Sequence, residues 1–263
     1  MPHISYSALK EWVDCPWKHK INYVDGVRKF KGNEHTVFGT TLHTICEALV
    51  KTKDAAAYDA KACFQKEFLN NLQALKEKVP DFQFNENLIR DMRQQGETLT
   101  EFILPALKNY FDNFLLVTVE EALYEKIEDY DYNFKGFIDL VIKTQDGKYH
   151  IIDWKTCSWG WDNRKKTDKI TTYQLTLYKH FWCKKHGIDP TSVLTHFALL
   201  KRTAKRNKVE IFKVTTGSKK IENVLKLLHK AVYNIKKSNY VKNRLSCYGR
   251  YGVCEYYKTK HCK

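Results

Sequence analysis

No run in this chain approaches the roughly 18 to 20 apolar residues that a membrane-spanning helix needs, and the opening MPHISYSALKEW lacks the apolar core of a signal peptide. No membrane span is expected, and the expected setting is the cytoplasm, a host cell's cytoplasm or an organelle. Acid is short as well. The chain holds 30 Asp and Glu against 45 Lys and Arg, a net charge of +15, which favours a polyanionic partner; a solvated basic surface is the plain alternative. There is no internal repeat, low-complexity tract or clear linker, so one domain over residues 1–263 is expected. Disulfides are not expected in a reducing compartment, which leaves the eight cysteines as buried thiols or ligands.

What is present centres on GFIDLVIKTQDGKYHIIDWKT, residues 136–156. Two apolar runs flank Gln145-Asp146-Gly147-Lys148, and Asp-Gly is the strongest short-range hairpin signal because glycine takes positive φ without steric cost. Both runs are apolar on both parities, as in strands covered on two faces. Yet Asp139 stands inside the first strand, and Asp153 and Lys155 close the second. A buried carboxylate is costly without a cation or donors beside it. Asp153 and Lys155 are two apart and share a face. With Asp139 alongside, two carboxylates and an ammonium converge, and such oxygen donors suit Mg²⁺ or Mn²⁺. A lysine there can position a water or neutralise charge developing on a phosphate. A strand-end ion pair, worth about 0 to 1 kcal/mol when exposed, is the plain alternative.

Ahead of the hairpin, residues 5–23 read as a helix capped by Ser5 or Ser7 and interrupted at Cys15-Pro16. Leu42, Ile45, Cys46 and Leu49 follow a helical period over 39–51, with His43 on the side of Cys46. Residues 52–114 stay helical, broken at Val79-Pro80-Asp81, and form an expected N-terminal helical insertion. The catalytic sheet is expected within 115–215: a strand with Glu120 and Glu121, the hairpin, a helix over 169–186, and the strands SVLTHFALLKR and KVEIFKVT. A basic amphipathic helix over 219–238 and a cysteine-rich tail, 245–263, complete the chain. This order predicts an α/β fold with a mixed central β-sheet flanked by helices.

Gly39-x-x-x-His43, Gly136-x-x-Asp139, Asp153-Trp154-Lys155-Thr156, and Gln174 with Tyr178 four residues on, follow one another along the chain. Together with the opening ISYSALKEWVDCP they resemble the RecB-like branch of the PD-(D/E)xK nuclease superfamily, which includes AddB-like and CRISPR-adaptation nuclease domains. The resemblance implies a restriction-endonuclease-like core and a divalent metal, Mg²⁺ or Mn²⁺, on His43, Asp139 and Asp153. It implies that Lys155 orients or activates the attacking water. Glu120 matches a further acid of the site, with Glu121 equally available, and Gln174 and Tyr178 match a motif that holds the DNA strand. The implied activity is a DNA exonuclease that hydrolyses phosphodiester bonds at ends or in single strands, in recombination, repair or replication. A structure-selective endonuclease and a DNA-binding assembly subunit with a structural nuclease fold are the rival readings. The chain carries no helicase motif, so unwinding would fall to a helicase or recombination partner.

Cys247, Cys254 and Cys262 crowd the tail. In relatives of this branch one early cysteine and three C-terminal ones hold a [4Fe-4S] cluster, and the resemblance implies that role for Cys15 with these three. Their six and seven intervening residues are wider than the relatives' tight pairs, with Tyr251 where a cysteine would stand. After the catalytic strand, Trp159 and Trp161 lie beside Arg164, Lys165 and Lys166. Aromatics beside cations suit single-stranded nucleic acid; tryptophans covering the helical insertion are the alternative. KRTAKRNK, residues 201–208, is a second basic stretch, either a backbone contact or a basic turn.

Overall fold

The computed structural model describes residues 2–52, 58–249 and 252–263. Residues 53–57, near the start of the expected insertion, and Arg250 and Tyr251 of the tail lie outside them. The chain divides into two compact units: residues 1–30, 123–136 and 217–263 form the first, and residues 31–122 and 137–216 the second. Strands β2 (Phe114–Lys126) and β3 (Asn133–Thr144) run through both.

In the second unit three helices form one layer: α3 (Glu34–Thr52), α4 (Ala60–Lys78) and α5 (Glu86–Phe111). Side-chain oxygens of Asn33, Asp59 and Asn85 accept the amides three residues on, satisfying donors that a helix start leaves orphaned. The break expected at Val79-Pro80-Asp81 separates α4 from α5. Helices α4 and α5 approach closely because Gly96 lies flat against the Phe64 ring, where a Cβ would overlap the ring carbons. The other layer is a mixed sheet. The expected hairpin joins β3 to β4 (Tyr149–Cys157), antiparallel from Leu140 opposite Ile152 to Lys143 opposite Tyr149. Strand β5 (Val193–Lys201) runs parallel to β4, and β6 (Val209–Val214) antiparallel to β5. A parallel pair needs a crossover, which α6 (Asn163–Thr167) and α7 (Lys169–His186) supply. Leu140, Ile142, Ile152, Trp154, Ala198 and Leu200 share a core with α3, α4 and α5. Helix α7 lies on the face that carries Asp153.

The first unit joins the two ends of the chain. Strand β1 (His3–Ser5) runs parallel to the start of β3, and Ser5 caps α1 (Tyr6–Asp14) as expected. Past Cys15 the chain continues as α2 (Pro16–His19) and a π-helical turn, Lys20–Val24. Helix α8 (Ser218–Lys236) packs on α1, and in the tail β7 (Tyr248–Gly249) pairs antiparallel with β8 (Gly252–Val253). Trp17 Nε1 donates to His261 O at 2.9 Å and Asn243 Nδ2 to Asp14 O at 2.8 Å. Among the described residues, no helix is long and apolar enough to cross a membrane.

Candidate active site

The β3–β4 ladder stops at Leu140 and Ile152. Just beyond it the Trp154 amide donates to Asp139 Oδ2 at 2.7 Å, so a carboxylate takes a bond where the strands part. His43 Nδ1 faces the same oxygen at 3.5 Å. The helix that carries His43 reaches the sheet at Gly39, where a Cβ would meet Thr156 Oγ1 at 3.3 Å. The bare α-carbon lets α3 sit on β4 and brings His43, one turn on, to the carboxylate.

Glu120 arrives by a distortion of β2. The more buried side chains are Phe114, Leu116 and Thr118 before the distortion, then Val119, Glu121, Leu123 and Glu125 after it. Parity slips by one residue, and Glu120 takes φ of 51°, the behaviour of a strand bulge that re-aims a side chain. A non-glycine residue there costs about 1 to 2 kcal/mol. His43, Glu120 and Asp139 each present a ligand atom, and these atoms lie within 4.8 Å of one another. Glu121 goes elsewhere: it accepts from Trp182 Nε1 at 2.9 Å and Lys185 Nζ at 2.8 Å and meets His186 Nε2 at 2.6 Å. Geometry thus separates two acids that the sequence left equivalent.

Asp153 is only 2% exposed. Its Oδ1 accepts from Gln174 Nε2 at 2.8 Å, and the same Nε2 lies 3.1 Å from Tyr178 Oη. Gln174 and Tyr178, read from sequence as a grip on DNA, are buried, and Gln174 is committed to Asp153. Lys155 Nζ stands 2.6 Å from Asp153 Oδ2 as an ion pair. Asp153, expected as a ligand beside His43 and Asp139, is outside the three-residue ligand group.

Burial pushes the Asp153 carboxyl up to about 6; the Lys155 ammonium opposes this and Asp139 adds to it. Burial also raises Glu120, helped by Asp139 and Glu47. For His43, burial works to lower the pKa, but its bond to Asp139 and the charges of Asp139 and Asp153 outweigh it, and the net shift is upward. Burial is the first cause for the two carboxyls and the Asp139 charge adds to each, while the bond to Asp139 and the charges of Asp139 and Asp153 lift His43. A histidine nitrogen with carboxylate oxygens, next to a further buried carboxylate, fits Mg²⁺ or Mn²⁺.

The remaining expected residues spread out. Trp161 packs against Phe197 at 5.1 Å between centroids and Phe212 at 6.3 Å, with Lys165 Nζ 4.6 Å from its ring. It therefore covers the sheet, not the helical insertion. Lys166 is paired with Glu210, while Arg164 and Lys165 are exposed. In the first unit Cys15, Cys247 and Cys262 are buried and Cys254 half-buried, and Cys254 and Cys262 join an apolar cluster with Ile21 and Tyr256. Among the described residues, no three of these Sγ atoms lie within 4.8 Å of one another. They are not gathered for a single ion, since Zn–S bonds of about 2.3 Å would hold thiolates about 3.8 Å apart.

The family model for the PD-(D/E)XK nuclease superfamily matches residues 3–259. The crystal structure of a Eubacterium rectale protein, provisionally named an exonuclease, aligns with a TM-score of 0.54 at 10% identity, over 92% of this chain and 84% of that one. At that identity the likeness shows the fold. The structure of SSO0001 aligns over 83% of this chain and 84% of its own at 14% identity, but its TM-score of 0.34 carries no argument. No curated protein sequence matches the chain.

Proposed function

The chain belongs to the PD-(D/E)XK nuclease superfamily, and from that premise we propose that it is a metal-dependent exonuclease of the RecB-like branch, hydrolysing DNA phosphodiesters at ends or in single strands. The observation that carries this reading is the convergence of His43, Glu120 and Asp139 within 4.8 Å, beside the Asp153–Lys155 pair. A divalent cation held by these residues would neutralise charge on the scissile phosphate and activate water. The chain's own groups do the rest. Lys155, held 2.6 Å from Asp153, directs its ammonium to where the attacking water and a phosphate oxygen would lie. Gln174 fixes the Asp153 carboxylate on one side, so that its other oxygen stays aimed at the site. Rigid strands keep these groups in place before substrate arrives. The E. rectale neighbour's provisional name agrees with end-dependent digestion, as does the resemblance; a helicase or recombination partner and a cytoplasmic setting complete the reading.

The test compares wild type with Asp153→Asn on linear and covalently closed circular DNA, single- and double-stranded, with Mg²⁺, Mn²⁺ or EDTA. Loss of linear DNA only, dependent on metal and absent in the variant, is expected. Cleavage of circles would replace the exonuclease with an endonuclease. No cleavage by folded protein would favour a DNA-binding subunit.

The resemblance also implies a [4Fe-4S] cluster on Cys15, Cys247, Cys254 and Cys262. All four belong to one unit, and a four-iron cube spaces its thiolates more widely than one ion does. Protein purified anaerobically should be brown and contain iron and inorganic sulfide. A colourless, iron-free and stable preparation would remove the cluster.

A further inference from the structure

Two basic stretches that are far apart in sequence are joined in space just past Lys155. Arg202 N donates to Cys157 O at 2.9 Å, and Thr203 N to Ser158 O at 3.1 Å. Thr203 Oγ1 adds a bond to Ser158 O at 2.8 Å, and Arg202 Nη1 reaches Gln95 Oε1 on α5 at 2.7 Å. The loop after β4 is thereby locked to the β5–β6 turn. Glu210 fastens α6 to the same place, pairing with Lys166 and with Lys201 at 3.1 Å.

The charges in this region divide into those engaged by the protein and those left to solvent. Glu210 is answered by two lysines. Asp162 accepts the Lys165 amide at 2.7 Å and Asp168 the Thr171 amide at 2.7 Å, each capping a helix. Arg164, Lys205 and Arg206 remain exposed, as does Lys165, whose ammonium also lies over the Trp161 ring. The two tryptophans divide in the same way. Trp161 is the anchor, wedged on Phe197 and Phe212, whereas Trp159 is 76% exposed. An indole left in water on a locked loop, among exposed cations, is a stacking surface for an unpaired base.

We propose that the loop after β4, α6 and the β5–β6 turn form one platform for a single nucleic-acid strand, with a base stacked on Trp159 and phosphates on Arg164, Lys165, Lys205 and Arg206. This rests on the nuclease reading for its orientation. At about 3.3 Å per residue, Ser158 lies about 10 Å from Lys155, so the platform receives nucleotides one or two steps from the scissile bond. Trp161 and Lys166 build the platform without touching the strand.

Binding of a fluorescein-labelled oligo-dT of about 12 nucleotides, measured by anisotropy in EDTA, separates this from cleavage. Trp159→Ala should weaken binding about 5- to 150-fold, and Trp159→Phe should keep most of the affinity, because any aromatic face stacks. Lys205→Ala with Arg206→Ala should lower the slope of log affinity against log salt by about 1.4, at about 0.7 for each phosphate that is no longer neutralised. Near-UV circular dichroism confirms that each variant is folded. Wild-type affinity in the alanine variants, equal weakening by Phe and Ala at Trp159, or no binding by wild type would each overturn the platform. Binding that follows the expected pattern in a protein that never cleaves DNA would leave the platform standing and remove the nuclease reading.

Discussion

Replacing Asp153 by Asn should stabilise the metal-free protein while abolishing its activity. The carboxyl is buried, and burial pushes its pKa from the ordinary 3.8 up to about 6 against the Lys155 ammonium. Across that interval the folded protein keeps a proton that the unfolded chain releases. At about 1.4 kcal/mol per pH unit, a contribution of about 3 kcal/mol is fully present below pH 4 and is lost as pH rises through 6. Asn keeps the size of the side chain and the oxygen that Gln174 binds, but it cannot ionise. Urea unfolding in EDTA should therefore show the variant more stable by up to about 3 kcal/mol at alkaline pH, with the difference closing near pH 4. Groups remote from Asp153 that titrate in this range cancel in the difference; His43 does not, because the Asp153 charge raises it. Mg²⁺ or Mn²⁺ should raise the stability of wild type more than that of the variant. Equal or lower stability of the variant at alkaline pH would mean that Lys155 fully compensates the charge, and the account of a site held at the expense of stability would fall.

Gly39→Ala should reduce activity by about tenfold or more, since misplacement of a site group by about 1 Å can cost a hundredfold; Thr156→Ser, which trims the neighbour's methyl but keeps Oγ1, should not restore it, whereas Thr156→Ala in the Gly39→Ala background should recover part of it. Glu120→Gln should weaken metal dependence, read as a higher Mg²⁺ concentration for half-maximal rate. Glu121→Gln should instead lower thermal stability, because it loses ion pairs to the partly exposed Lys185 and His186, each worth up to about 1 kcal/mol, and leave the metal titration in place. His196 and His150 are packed with ring centroids 5.2 Å apart, and their Nδ1 atoms are buried without partners. Burial lowers His150 and takes His196 from 6.5 down to about 3. Both therefore contribute stability present above pH 6.5 and lost as pH falls, about 2 kcal/mol from His196 by pH 5. His196→Phe should flatten that part of the stability profile, and an unchanged profile would show that the imidazoles reach water.

The difference between what could be read along the chain and what could not follows from where each constraint originates. The hairpin is legible because Asp146-Gly147 fixes a turn and two-residue parity fixes which side chains share a face, so spacing alone puts Asp153 and Lys155 on one face. His43 was legible as one turn beyond Gly39, although the reason for the glycine, its approach to Thr156, is a contact between distant segments. Gln174 and Tyr178 were correctly placed on one helix face, but spacing within a helix does not say whether that face meets substrate or a buried carboxylate. Four apart serves either purpose, and packing of α7 against β4 decides for Asp153. Glu120 was the least legible, because the strand changes parity between Thr118 and Val119 and nothing in VTVEEAL marks the slip. A regular strand would alternate Glu120 and Glu121 about one fixed parity. The left-handed backbone at Glu120 shifts that parity and brings its carboxylate to His43 and Asp139. Local rules fail here where strain is retained, and strain of this kind persists where the surrounding structure holds it and function uses it.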